Sequence, residues 1–370
     1  MVDWGKIRKD FPVTERFTYL DHASASPIPK PVFEAALRYY KELGGFADFS
    51  WNRWIKKREE VRKKAAQFIG AKPEEIAFTS STSHGMNLIA ELIAGQGTVL
   101  TNTLEFPATT VPWIHRKAKI KFAPPRSGIV SSEMIRNNLT PKTKTILISF
   151  VQYQNGFRAD LEAIGRIKGN QFLVVNATQG FGYLPIHVKT AGVDFLATNS
   201  YKWLMAGYGG GLLYLNERWL GKFRPASAGW RSVLAPDLFD NRHVALKPNA
   251  ARYEYGSPPF PHIFAIGAAL DYISELGIER VWRRIRFLTD VLIAELQKHG
   301  FEILSPLSPE MRSGIVVFRV KNAVKVTNQL LAKRIYVSPR GGGIRVAPHI
   351  YNTEEEIHSL VKALREAVRH

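Results

Sequence analysis

Short apolar runs alternate with amphipathic stretches along the chain as far as Leu215. The runs end in polar or glycine-rich turns, and apolar residues at helical spacing follow, as at 75–79, 145–151, 172–175 and 193–197. Continuous apolar runs of strand length, joined by crossover helices, are typical of a mostly parallel sheet that is covered on both faces. The pattern therefore predicts an α/β fold built on a buried sheet.

The pattern changes after Leu215. Residues 222–260 are irregular, and beyond them the spacing predicts helices at 262–276, 278–298, 323–333 and 353–368 and strands at 313–320, 335–338 and 341–347. This mixture predicts a second, smaller α+β domain. We therefore divide the chain into an N-terminal segment (1–20) that packs with the small domain, a large domain (21–259) and a small C-terminal domain (260–370).

Composition removes several classes of protein. The chain has no cysteine, which excludes disulfides, thiolate metal sites and cysteine nucleophiles. Its 10 histidines show no paired metal-ligand spacing, so we predict no metal site. The sequence also shows neither an apolar stretch of membrane-spanning length nor a signal peptide, and we expect a cytoplasmic protein.

The formal net charge of +19 allows two interpretations. A basic protein can bind nucleic acid, and a positive field also serves an anionic substrate and cofactor. The basic residues are scattered, however, and their densest stretch, 56–64, mixes both signs as a solvated helix face does. The distribution therefore favours a small anionic ligand over nucleic acid.

Polar and aromatic residues recur where the predicted strands end. In parallel α/β sheets, ligands gather beyond the carboxyl ends of the strands. The candidates are Ser80–Ser83, Phe106, Tyr153, Asn176–Gln179 and Lys202. Their common position predicts one site at this edge of the sheet.

Two of these positions each allow a chemical and a plain interpretation. Lys202 follows the apolar run 193–197 and precedes a glycine-rich turn. It is either a solvated surface lysine or a desolvated amine that forms a Schiff base with a carbonyl cofactor. The strand–turn–helix pattern around Ser80–Gly85 is either an ordinary helix N-cap or a phosphate-binding turn.

The succession of these motifs resembles the class V aminotransferase family of pyridoxal-phosphate enzymes, which includes cysteine desulfurases, isopenicillin N epimerase-like proteins and kynureninases. The resemblance extends from about Phe11 to the terminal helix. It implies fold type I, with a seven-stranded, mostly parallel sheet flanked by helices in the large domain and a smaller α+β C-terminal domain. It also implies pyridoxal 5′-phosphate as cofactor, a small amino-acid substrate and a homodimer with active sites at the subunit interface.

The resemblance assigns roles to individual residues. Lys202 matches the lysine that forms the internal aldimine, and Arg345 matches the arginine that binds the substrate carboxylate. The implied cofactor contacts are Thr82, Ser83, Asn199 and Tyr201 at the phosphate, Phe106 on the ring face, Asn176 at the ring nitrogen, Gln179 at the phenolic oxygen, and Ser257 at the phosphate of the neighbouring subunit. Tyr153 matches a residue that contacts either the substrate side or the phenolic oxygen.

Two positions depart from the family pattern. The family normally has aspartate where this chain has Asn176, and a neutral amide cannot favour a protonated ring nitrogen by charge. We therefore expect weaker carbanion chemistry. A persulfide-forming desulfurase needs a cysteine nucleophile, which this chain lacks.

The resemblance leaves the reaction open. We expect an aminotransferase that acts on an amino acid through a Lys202 aldimine. The alternatives are a carbon–sulfur or carbon–carbon lyase, an epimerase, and a cofactor-binding protein whose catalysis is weakened by Asn176.

Overall fold

The computed structural model describes residues 2–368, and its elements lie close to the predicted ones. The helices are α1 (Trp4–Arg8), α2 (Lys30–Phe46), α3 (Trp51–Phe68), α4 (Thr82–Ile93), α5 (Pro107–His115), α6 (Ser132–Asn138), α7 (Leu161–Ile167), α8 (Phe260–Leu276), α9 (Ile278–Lys298), α10 (Ala323–Ala332) and α11 (Glu354–Ala367). The strands are β1 (Thr18–Tyr19), β2 (Ile76–Thr79), β3 (Thr98–Asn102), β4 (Ile120–Ala123), β5 (Thr143–Ser149), β6 (Phe172–Asn176), β7 (Phe195–Asn199), β8 (Gly211–Leu215), β9 (Val316–Phe318), β10 (Ile335–Tyr336), β11 (Ser338–Arg340) and β12 (Gly343–Val346).

The main sheet has seven strands in the order β2-β8-β7-β6-β5-β3-β4. Strand β8 runs antiparallel to both of its neighbours, and the strands from β7 to β4 are parallel to one another. Every residue of β6, β7 and β8 is buried, because helices cover both faces of the sheet. The predicted seven-stranded, mostly parallel sheet is confirmed.

The direction of the strands brings the predicted site residues to one edge. Strands β3, β5, β6 and β7 are parallel, so their carboxyl ends meet there. Strand β2 is antiparallel to β8 and therefore points the same way as β7, which brings the start of α4 to this edge as well. A Cβ added at Gly85 would lie 2.7 Å from the Cβ of Ala197, so a glycine is needed for α4 to approach β7 this closely.

The C-terminal part contains a three-stranded antiparallel sheet in the order β11-β12-β9. Apolar residues of α9, α10 and α11 form a core with this sheet, among them Leu296, Leu330 and Leu360. Strand β1 pairs in parallel with β10, and Arg8 donates to the Glu356 carboxylate, so the N-terminal segment contacts this part of the chain.

Helix α8 packs against α2 and α3 and shares the core of the main sheet. The division of the chain at residue 260 therefore stays a prediction. None of the helices within residues 2–368 combines the length and the apolar character that crossing a membrane requires.

Candidate active site

Lys202 lies in the turn after β7, at the carboxyl edge of the sheet. The residue is only 8% exposed, and nothing within residues 2–368 accepts a hydrogen bond from its amine. The Nζ atom lies 5.7 Å from the centroid of the Phe106 ring and 5.8 Å from that of the Tyr201 ring. Lys202 is therefore a buried amine between aromatic rings, which excludes the alternative of a solvated surface lysine.

The surroundings of Lys202 change its protonation. The pKa of Lys202 is lowered to about 7, mainly by burial and also by the positive charge of Arg345, whereas the Asp21 carboxylate opposes the shift. A large fraction of the amine is consequently unprotonated near neutral pH. The unprotonated amine is the form that attacks a carbonyl group.

The turn that carries Lys202 is fixed by the packing of its neighbours. The Trp203 ring stacks on Tyr183 with a centroid distance of 4.0 Å, and its indole N–H donates to Oε1 of Gln179 over 2.8 Å. The Ser200 hydroxyl donates to the carbonyl of Gly210 over 2.9 Å. These contacts close the glycine-rich turn around the lysine and hold the amine in place.

Gln179 connects the Lys202 turn to the N-terminal part of the chain. Its Oε1 accepts from Trp203, and its Nε2 donates to the carbonyl of Ala23 over 2.9 Å. One Nε2 hydrogen has no acceptor among the described residues. The contact of Gln179 with a phenolic oxygen stays a prediction. This free hydrogen is the one that would make the contact.

Asn176 ends β6 and is oriented by two hydrogen bonds. Its Oδ1 accepts from the backbone N–H of Thr178 over 3.0 Å, and its Nδ2 donates to Oγ1 of Thr109 over 2.8 Å. A backbone N–H can only donate, so the two ends of the amide are unambiguous. The second hydrogen of Nδ2 has no acceptor within residues 2–368. The NH2 group can therefore donate a hydrogen bond to an unprotonated ring nitrogen, but it cannot accept one from a protonated ring nitrogen.

Helix α4 begins at Thr82, within the turn predicted around Ser80–Gly85, because Ser81 caps it. The Ser81 hydroxyl accepts from the backbone N–H of His84 over 3.1 Å, which confirms the N-cap interpretation. The cap leaves the backbone N–H groups of Thr82 and Ser83 without acceptors in the described chain. A helix start with free N–H groups also binds anions, so both interpretations of this turn apply.

The side chains of Thr82 and Ser83, both predicted to lie near the cofactor phosphate, differ in their environments. Ser83 is exposed, whereas the Thr82 hydroxyl is buried and lies 2.6 Å from the hydroxyl of Thr178. Oδ1 of Asn199, at the end of β7, is buried and has no partner within residues 2–368. A buried oxygen without a partner is rare in folded proteins, so this acceptor is free for a donor from outside the chain.

Phe106 and Tyr153 form an aromatic pair at the same edge. Their ring centroids lie 5.0 Å apart at 84°, and Phe106 is 41% exposed at the start of α5. The preceding residue, Glu105, accepts from the backbone N–H of Ser149 over 2.8 Å and from Nε2 of Gln152 over 2.7 Å. Glu105 thus joins the ends of β3 and β5, a role that the sequence did not predict.

Arg345, on β12, is already engaged by the chain's own side chains. Its Nη2 donates to Oδ1 of Asp21 over 3.1 Å and to Oγ of Ser24 over 2.6 Å, and its Nη1 lies 3.4 Å from the carbonyl of Tyr153. Its Nε has no partner in the described chain. A substrate carboxylate can take the unused hydrogens of Nε and Nη1 but has to share Nη2 with Asp21.

Asp21 and Ser24, which accept hydrogen bonds from Arg345, were missed by sequence reasoning. Two predicted residues remain, Tyr201 and Ser257, and of these two only Tyr201 lies near the Lys202 amine. The Tyr201 ring stacks on Tyr208 at 4.1 Å. Ser257 is exposed in a cleft that Ser80 and His84 also line, and no contact joins it to Lys202 within residues 2–368.

The groups at this edge fit the expected cofactor, pyridoxal 5′-phosphate. The unpaired amine of Lys202 suits its aldehyde, the free N–H groups at the start of α4 suit its phosphate, and the unused hydrogen of Asn176 suits its ring nitrogen. No group of His, Asp and Glu side chains in residues 2–368 is arranged to hold a metal ion.

Comparisons with known proteins place the whole chain within one family. The family profile described as Aminotransferase class-V matches residues 18–361. The chain is 27% identical to the uncharacterized aminotransferase YcbU of Bacillus subtilis, covering 99% of this chain and 98% of that protein. It is 28% identical to a probable cysteine desulfurase of Methanothermobacter thermautotrophicus, covering 97% of both. The apo structure of a cysteine desulfurase from Thermococcus onnurineus superposes with a TM-score of 0.91 at 26% identity, covering 100% of this chain and 99% of that one.

Proposed function

The chain belongs to the class V aminotransferase family, and from that premise we propose that it is a pyridoxal-phosphate-dependent aminotransferase of amino acids. The cofactor of these enzymes is pyridoxal 5′-phosphate. The observation that carries the proposal is the buried, unpaired amine of Lys202, whose pKa is lowered to about 7. An amine in this state has little structural use and is suited to carbonyl chemistry.

The cofactor and the protein divide the chemistry between them. When bound, pyridoxal phosphate supplies an aldehyde that condenses with amines and a ring that takes up electrons from the substrate's α-carbon. Lys202 supplies an amine that is neutral in a large fraction of molecules and can hold a proton at Nζ taken from that carbon. In transamination this proton is not returned to the α-carbon. We assign to Nζ the role of carrying it away from that carbon.

Other side chains orient the reactants. Arg345 presents the hydrogens of Nε and Nη1 to the substrate carboxylate, and the start of α4 presents the N–H groups of Thr82 and Ser83 to the phosphate. With the cofactor bound, Asn176 would donate its free hydrogen to the ring nitrogen. Because this donation favours the unprotonated ring, we expect slower turnover than aspartate at this position would allow.

We also propose a homodimer in which Ser257 contacts the phosphate of the neighbouring subunit. The exposure of Ser257 supports this proposal. Helix α2 and the turn after it also expose four large aromatic side chains: Phe33 (56% exposed), Tyr40 (56%), Phe46 (64%) and Phe49 (94%). An exposed apolar surface of this kind is typical of a protein–protein interface.

The proposal is tested first by locating the cofactor. The protein is incubated with pyridoxal phosphate, reduced with borohydride and mapped by peptide mass spectrometry, with Lys202→Ala as the control. We expect a reduced adduct on Lys202 and none at any position in the variant. An adduct confined to another lysine would reject the assignment of Lys202.

The reaction is tested by product formation with and without an acceptor. An aminotransferase produces a 2-oxo acid from an amino acid only when a second 2-oxo acid is present to accept the amino group. Acceptor-independent release of pyruvate or alanine would instead identify a lyase, a second candidate that the similarity to a probable cysteine desulfurase favours. Since this chain has no cysteine, such a lyase would not pass on a persulfide.

A cofactor-binding protein with weakened catalysis is the third candidate, and the neutral side chain of Asn176 favours it. Full occupancy of Lys202 without turnover across a broad panel of amino acids, and without epimerisation, would identify it.

A further inference from the structure

The β11–β12 hairpin carries a second arginine on the face that lines the active site. Ser338 pairs with Arg345 and Arg340 pairs with Gly343, so the side chains at these four positions share one face of the hairpin. Ser338 and Arg345 both donate to Oδ1 of Asp21, at 3.1 Å each, which shows that this face is turned toward the site. Arg340 lies two residues beyond Ser338, the partner of Arg345, and is therefore the diagonal neighbour of Arg345. Diagonal neighbours on two antiparallel strands lie about 7–8 Å apart.

Arg340 is positioned by the turn that follows it. Gly341 and Gly342 adopt left-handed φ angles of 65° and 83°. A Cβ added at Gly341 would lie 2.1 Å from the carbonyl oxygen of Gln154, so the turn packs directly on the loop that carries Tyr153. Arg340 therefore lies at the edge of the site on a packed hairpin.

The guanidinium of Arg340 is not neutralised by the protein. It is exposed and has neither a hydrogen bond nor an ion pair within residues 2–368. Its charge nevertheless acts on the site, because it adds to burial in lowering the pKa of both Lys202 and Arg345. The carboxylate of Asp21 is engaged by Arg345, which leaves Arg340 available for an anion from outside the chain.

We propose that Arg340 binds the side-chain carboxylate of a dicarboxylic amino acid, or of the corresponding 2-oxo acid, whose other carboxylate is bound by Arg345. The inference rests on the proposed function and names its substrate class. Aspartate and glutamate carry a second carboxylate one or two methylene groups beyond the α-carbon, which matches the spacing of two arginines on diagonal positions. Charge-assisted hydrogen bonds to a planar guanidinium select such a group against a neutral amide.

The inference is tested by binding of unreactive ligands to the cofactor-loaded protein. Glutarate has two carboxylates and no amine, and pentanoate has the same chain length with one carboxylate. In calorimetric titrations we expect glutarate to bind about ten- to a hundred-fold more tightly than pentanoate, the range of a charged hydrogen bond. Succinate, titrated beside glutarate, distinguishes an aspartate-length from a glutamate-length substrate.

Substitutions assign the preference to one residue. Arg340→Gln should bind glutarate and pentanoate with similar affinity, and Arg340→Lys should recover part of the difference. Arg136→Gln is the matched control, because it removes another exposed arginine, on α6, that has no partner in the described chain. A glutarate preference that survives in Arg340→Gln, or that the unmodified protein lacks, would overturn the inference.

Borohydride labelling of the same preparation separates this inference from the proposed function. Labelling at Lys202 without a glutarate preference rejects the role of Arg340 alone. A glutarate preference lost in Arg340→Gln, with labelling elsewhere, supports the dicarboxylate site and rejects the assignment of Lys202. As a second readout, kcat/KM for glutamate relative to glutamine should fall about tenfold or more in Arg340→Gln and remain unchanged in Arg136→Gln.

Discussion

Replacing Lys202 by methionine should stabilise the cofactor-free protein, and the gain should depend on pH. The substitution removes a buried amine and keeps most of the volume of the side chain. The native pKa of Lys202 is about 7, whereas the ordinary value of the unfolded chain is 10.5. Between these values the unfolded chain binds a proton that the native protein does not, so the stability of the unmodified protein rises with pH. Below about pH 7 both states are protonated, and the full cost of burying the charge is present.

The size of the effect follows from the same two pKa values. They differ by 10.5 − 7, or about 3.5 units, which corresponds to roughly 5 kcal/mol at about 1.4 kcal/mol per unit. Local relaxation and water penetration reduce the cost of a buried charge, so we expect an observed gain of roughly 2–4 kcal/mol near pH 6. Near pH 10 the gain from losing the charge should almost vanish.

The assay is urea denaturation of the cofactor-free proteins at about pH 6, 8 and 10. Lys63→Met is the matched control, since Lys63 is exposed on α3 and has no partner in the described chain. Other titrating groups are common to all the proteins and cancel in the differences. A difference between the Lys202→Met variant and the unmodified protein that is equal at every pH would refute a depressed pKa for Lys202. Lower stability of the variant in acid would refute it as well.

Three further substitutions test the rest of the site. Arg345→Gln should raise KM for amino acids by about a hundred-fold, because it removes a charged contact with the substrate carboxylate. Since it also removes the charge that helps to lower the pKa of Lys202, borohydride labelling of Lys202 should persist but shift to higher pH; unchanged KM would contradict this role. Asn176→Asp should raise kcat, since a carboxylate favours the protonated ring, and an equal or lower rate in steady-state assays would count against our account of this position. Glu105→Gln should lower the free energy of unfolding, measured by urea titration, by about 1–3 kcal/mol. The reason is that an amide cannot accept all the hydrogen bonds that the carboxylate receives from Ser149 and its neighbours. An unchanged free energy of unfolding would show that these hydrogen bonds contribute little.

Much of the architecture could be predicted from local patterns. The apolar runs predicted the buried strands, and the parallel order of the strands placed Asn176 and the lysine at one edge. The boundaries moved where a polar contact decided them. Helix α4 begins at Thr82, inside the segment predicted as a turn, because the hydroxyl of Ser81 satisfies its first turn.

The contacts that tune the site could not be predicted, because they join distant parts of the chain. Asp21 and Arg345 are 324 positions apart, and nothing in the local sequence of either residue indicates the other. Gln179 was assigned to the cofactor alone, yet the structure also uses its amide to join Trp203 to Ala23. Such contacts depend on how the N-terminal segment packs across the sheet edge, which local periodicity does not encode.

The Asp21–Arg345 pair links substrate binding to the basicity of Lys202. In the substrate-free site the charge of Arg345 lowers the pKa of Lys202, and the charge of Asp21 partly offsets it. A substrate carboxylate on Arg345 adds a second negative charge to this cluster and therefore shifts the pKa of the free amine upward. A carboxylate on Arg340 would act in the same direction, because the charge of this arginine also lowers the pKa of the amine. Under the proposed function, the amine would thus become a stronger base when the substrate is bound, which is when it would have a proton to accept.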